Sequence, residues 1–162
     1  MDMDRDRDFY LLQQDSIDEL RRDVRKISDQ IDSLKKTINN NKTRINTLNI
    51  LVKQCDASIN NVDALYNHIC EAEEEINGVY TSSTITKVGL SEVYSTDINK
   101  IKAEINEVKE QVSLKILELE DDNYNNLGRI KTLQNDSYIA TKKISKINMC
   151  EDIKEMQRIL RG

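Results

Sequence analysis

The sequence predicts an all-α protein: a long antiparallel helical hairpin, or coiled coil, packed in a multi-helix oligomeric bundle. Three observations point there. A seven-residue apolar repeat runs without a slip from Ile17 to Ile76. Spacings of three and four put its members on one stripe of a helix, and the strict period keeps that stripe in register with a partner helix. The chain has no proline, the strongest helix breaker, and only four glycines in 162 residues. Glycines flank a short β-branched stretch near mid-chain, where the direction can reverse.

Residues 1–9 alternate aspartate with arginine and read as a frayed charged terminus. The first coiled-coil helix is expected over 10–77. Its stripe is Ile17, Leu20, Val24, Ile27, Ile31, Leu34, Ile38, Asn41, Ile45, Leu48 and Val52, continuing through Cys55, Ile59, Val62, Tyr66, Ile69, Glu73 and Ile76. We take the segment from Ile17 to Val52 as the partner-binding seam. Asn41 and Glu73 are its two polar interruptions. A buried polar residue at such a position fixes register or oligomeric state at some cost in stability.

Residues 78–90 form the expected tip loop. Gly78 suits a helix C-cap, and Ser91 or Thr96 suits the next N-cap. Val79, Tyr80, Ile85 and Val88 are apolar residues at that tip and form a second candidate contact surface for a partner or a membrane.

The second helix is expected over 91–161. We read its stripe as Ile98, Ile101, Ile105, Val108, Val112, Ile116, Leu119, Leu127, Ile130, Leu133, Ala140, Ile144, Ile147, Ile153, Met156 and Leu160. Four-then-four steps at Val108-Val112-Ile116 and around Asn123 unwind a supercoil locally. The run 121–128, rich in aspartate, asparagine and a glycine, is the expected irregularity.

Reversal at mid-chain pairs residues whose numbers sum to about 165. The asparagines near 39–41 then face those near 124–126, Asp63 meets Lys102, and Asp56 meets Lys109. Arg44 with Asp121, Asp23 with Lys142 and Glu19 with Lys146 follow, whereas Arg22 with Lys143 and Asp29 with Asp136 are mismatched. A parallel homodimer is the rival. None of its candidate g-to-e pairs, from Ser16–Arg21 to Ser58–Asp63, is an ion pair. Arms of about 70 residues are about 105 Å long at about 1.5 Å per residue. Leu51, Leu65, Leu114 and Leu117 lie beside the main stripe and call for a third or fourth helix.

Gln30-Ile-Asp32 and Asn41-Lys-Thr-Arg-Ile45 resemble the C-terminal half of a SNARE motif over about twenty residues. The resemblance implies that Ile31, Leu34, Ile38, Asn41 and Ile45 are packing layers of a four-helix bundle. Ile27 stands where that family carries its central glutamine. We read the likeness as convergence on coiled-coil sequence.

The composition leaves few other classes. Charged residues make up 33% of the chain, aromatic residues only 4%, and the net charge is −5. No face is basic enough for nucleic-acid binding by counterion release, and Arg21, Arg22, Arg25 and Lys26 sit among acids. No stretch is apolar enough to span a bilayer, so membrane contact is expected only through the tip. The first thirty residues lack the apolar core of a signal peptide. With three cysteines, Cys55, Cys70 and Cys150, a reducing cytoplasmic compartment is the simplest fit. Asn41-Lys-Thr43 and Asn135-Asp-Ser137 are read as chance sequons. Abundant Ile, Asn, Asp and Lys also fit an AT-rich genome, and with it a viral structural or accessory protein within a virion.

No catalytic, cofactor-binding or metal-binding residues are expected. His68, Glu71 and Glu75 share a helix face, but one histidine with scattered acids makes no known ligand geometry. There is no phosphate loop or nucleophile constellation. The expectation is a non-enzymatic scaffold or tether that assembles with itself or with another coiled-coil protein. Two alternatives are a tip-loop binding module and one subunit of a heteromeric helical bundle.

Overall fold

A computed structural model of the chain describes residues 2–79 and 89–162, with side chains described from Arg7 onward. The described residues form three helices: α1 (Asp2–Val79), α2 (Leu90–Met149) and α3 (Ile153–Arg161). The all-α expectation holds. The chain divides into two compact units, one of Met1–Asn41 with Asp121–Gly162, the other of Lys42–Glu120.

In α1 every stripe position from Ile17 to Ile76 is buried or half-buried, Asn41 and Glu73 included. The helix begins at Asp2 rather than at residue 10, and it continues past Gly78 to Val79. With no proline and no positive-φ residue, nothing in the described backbone interrupts it.

The second helix departs from its expected register. Ile101, Val108 and Leu127 are exposed, by 45%, 50% and 56%. The positions turned inward recur at 98, 102, 105, 109, 112, 116, 119, 123, 126 and 130, an unbroken heptad. Lysines and asparagines occupy core places that apolar counting passes over. Lys102 and Lys109 lay their aliphatic stems along the seam and carry their ammonium heads to its edge. The expected four-then-four steps vanish in this register, and α2 runs through 121–128 without a break.

The break falls later, at residues 150–152. Asp152 caps α3, its carboxylate accepting from the Glu155 backbone N–H at 2.7 Å. Glu155 reciprocates by accepting from the Glu151 N–H at 3.3 Å. Such reciprocal bonds satisfy donors that a helix start leaves orphaned. The C-terminal end closes on Gly162, whose N–H donates to the Arg158 carbonyl. Residues 153–161 are therefore a separate short helix.

In the unit of Met1–Asn41 and Asp121–Gly162, α1 and α2 run antiparallel, and α3 closes one end. Ile17, Ile147, Cys150 and Met156 form a buried cluster there. Phe9, Leu20, Ile144 and Ile159 pack against it. Ile17, Ile147 and Met156 are each at most 1% exposed, the most complete burial among the described residues. Lys143 donates to the Leu160 carbonyl at 3.2 Å and ties the end of α3 back to α2.

In the unit of Lys42–Glu120, α1 and α2 again run antiparallel. Asp56 pairs with Lys109 and Asp63 with Lys102, at 2.6 and 2.5 Å. Both pairs are those expected from reversal at mid-chain. In the other unit Asp23 pairs instead with Lys26 of its own helix, and Lys142 lies over the Tyr138 ring.

Candidate functional site

The seam between α1 and α2 gathers the candidate contact residues of the first helix. Among the seam residues singled out above, Ile17, Ile38 and Asn41 are buried. Leu20, Val24, Ile27, Ile31, Leu34, Ile45, Leu48 and Val52 are half-buried. The chain's own α2 occupies this stripe within each unit, and the half-buried residues leave the seam's borders open to a further helix.

Asn41 donates from its side-chain nitrogen to the Asn123 side-chain oxygen at 3.1 Å. Two polar residues placed in a seam satisfy one another, and a shift of one heptad would strand both amides. The sequence indicated this meeting of asparagines but placed it at residues 124–126.

Glu73 has a clear local role. Its carboxylate accepts from the Ser91 backbone N–H at 2.9 Å. That N–H lies in the first turn of α2, where donors lack intrahelical partners and the helix dipole favours a negative charge. The bonds from Ser91 hold the Glu73 carboxyl below its ordinary pKa. Ser91 therefore lies inside the helix and does not cap it. Gly89 precedes the helix, and its carbonyl accepts from the Val93 N–H.

Gln13 carried no signal in the apolar repeat. It is buried, and its amide donates to the Ile147 carbonyl at 2.6 Å. The Cys150 thiol donates to the same carbonyl at 2.9 Å. Burial pushes the Cys150 thiol pKa up. Together they cap the last turn of α2 just before the chain turns into α3. Position 13 lies four residues before Ile17, one step up the same stripe, and that spacing was the available signal.

Of the candidate tip residues, Val79 is exposed by 76%. Tyr80, Ile85 and Val88 lie outside the described residues. His68 meets only Glu71, at 3.2 Å, and both side chains are exposed. No group of three metal-ligating side chains occurs among the described residues. All three cysteines are free, with Cys55 and Cys150 buried. No described helix is long and apolar enough to cross a membrane.

The unit of Lys42–Glu120 has two unlike flanks. Asp56 and Asp63 sit on one edge of the α1 stripe, with Lys109 and Lys102. Leu51 and Leu65 lie on the opposite edge of α1, exposed by 38% and 56%. Antiparallel packing places Ile101 and Val108 of α2 on that same edge, because each immediately precedes a seam lysine. One flank is thus ionic and the other apolar and open. No family model, curated protein or solved structure matches this chain. The functional reading therefore rests on this geometry alone.

Proposed function

We propose that the protein is a non-enzymatic coiled-coil scaffold that assembles by packing further helices onto the pair it already forms. The observation that carries this reading is the open apolar flank of Leu51, Leu65, Ile101 and Val108, beside a seam already filled from within the chain. Side chains of this kind contribute about 25 cal/mol per Å2 when removed from water. A further helix laid along the flank would bury them and cover the half-exposed border of the seam. Such assembly works through burial, register and spacing, with no bond made or broken.

The test is solution mass by light scattering from micromolar to hundreds of micromolar, on the full chain and on a Leu51→Gln, Leu65→Gln, Ile101→Gln, Val108→Gln variant. All four residues are exposed, so helicity should survive the changes. A scaffold gives a mass above that of one 18.8 kDa chain, and the variant lowers it. A mass of one chain at every concentration would sink the proposal.

A further inference from the structure

The exposed charge of the Lys42–Glu120 unit is distributed unequally between its two helices. From Ile45 to Ile69, α1 carries three charged residues, Lys53, Asp56 and Asp63. Asp56 and Asp63 are engaged with α2 lysines. The rest of that outer face is amides, hydroxyls, one histidine and the apolar or small side chains Ile50, Leu51, Ala57, Ala64 and Leu65, all exposed. In a chain that is 33% charged, a stretch about 36 Å long with one unengaged charge needs an explanation. On the opposite helix Glu104, Glu107, Glu110 and Glu118 make the outer face acidic, with Leu114 and Leu117 exposed among them.

We infer that this uncharged face of α1 binds the same face of a second copy, the two α1 helices lying antiparallel and crossing at Ser58. The inference rests on the scaffold reading above and names its partner and its surface. Three features select a second copy. Leu51 and Leu65 lie seven residues either side of Ser58, so a two-fold axis there sets each Leu51 against Leu65 of the other copy, twice. Ala57, Ser58 and Asn61 occupy the centre, where small side chains let two backbones approach closely. The charges agree as well. The two Lys53 residues fall about 15 Å apart along the axis, beyond the roughly 8 Å Debye length of physiological salt. Contact through α2 would instead bring two rows of glutamates together, whereas contact through α1 keeps them on the outside.

Two measurements test the contact. Ala57→Glu with Ala64→Glu puts charge on exposed helix positions with a residue of high helix propensity, so circular dichroism should not change. The solution mass should fall from twice 18.8 kDa to 18.8 kDa, while Glu107→Gln with Glu110→Gln leaves it unchanged. In a Cys70→Ser background, with Cys55 and Cys150 buried, Ser58→Cys should cross-link two copies with a short bis-maleimide. Leu51→Cys should not, because its two sulfurs would sit about 21 Å apart. Cross-linking as fast at position 51 as at 58 means parallel copies and overturns the inference. An assembly that keeps its mass after Ala57→Glu with Ala64→Glu overturns the α1 contact and leaves the scaffold reading standing. One chain's mass at every concentration overturns both.

Discussion

Asn41 shows how a polar residue can specify an apolar seam. Removing it alone, as Asn41→Leu, leaves the Asn123 amide half-buried and unpaired, at a cost of about 1–3 kcal/mol. Changing both to leucine should return the lost stability and admit alternative registers. A double-mutant cycle followed by thermal unfolding checks this. The single variant should melt several degrees lower and the double variant at or above the parent, since about 1 kcal/mol moves the midpoint of a chain this size by roughly 2–4 °C. Glu73 makes the start of α2 sensitive to pH. Its carboxyl pKa is depressed in the folded state by the bonds from Ser91. Its contribution is therefore fully present above the ordinary carboxylate range and is lost as pH falls through the depressed folded value. The Ser91 amide resonance should titrate with that midpoint, below an unperturbed glutamate, and Glu73→Gln should abolish the titration. A midpoint at or above the ordinary value contradicts the geometry. The sequence marked both residues as breaks in the stripe. It set Asn41 opposite residues 124–126 where the partner is Asn123, and it gave Glu73 no partner, because a partner across a seam is fixed by how far one helix slides along the other.

The helices differ in how openly the sequence announces them. α1 was legible because nearly all its core positions are Ile, Leu or Val. The register of α2 was not, because Ile101 and Val108 are apolar but sit one place off the core, while Lys102 and Lys109 are charged but sit on it. The separate α3 was missed for a simpler reason: Ile153, Met156 and Leu160 continue a helical spacing on paper. The signal that breaks the helix is Asp152 with Glu155, a capping pattern. Asp152→Ala should cost about 1 kcal/mol of local stability. α3 holds Met156 over Cys150, so the loss should be read in the thiol. Cys150 should react about fivefold faster with a thiol reagent, while buried Cys55, in the other unit, keeps its rate. Equal acceleration at both would mean global destabilisation and not the release of one helix.

At the scale of the whole molecule the core is lean. Nine apolar residues are buried among those described, and most of the stripe is only half-covered. Burial on that scale leaves stability open to reinforcement by association, which acts by mass action. The thermal midpoint should therefore rise with protein concentration, and Ala57→Glu with Ala64→Glu should flatten that dependence. A midpoint independent of concentration in the parent chain contradicts assembly at this surface. The helical class, the first seam and the reversal at mid-length could be read from the residues alone, because apolar period, missing proline and the glycines near mid-chain act locally along the chain. The fold in three dimensions was needed to show which residues of α2 face that seam, that the nine residues Ile153–Arg161 are a separate helix, and that Gln13 and Glu73 tie off helix ends. These depend on which polar groups find partners across the fold. An ammonium head reaching a seam edge or an amide reaching a carbonyl 134 residues away leaves no trace in a hydrophobic repeat.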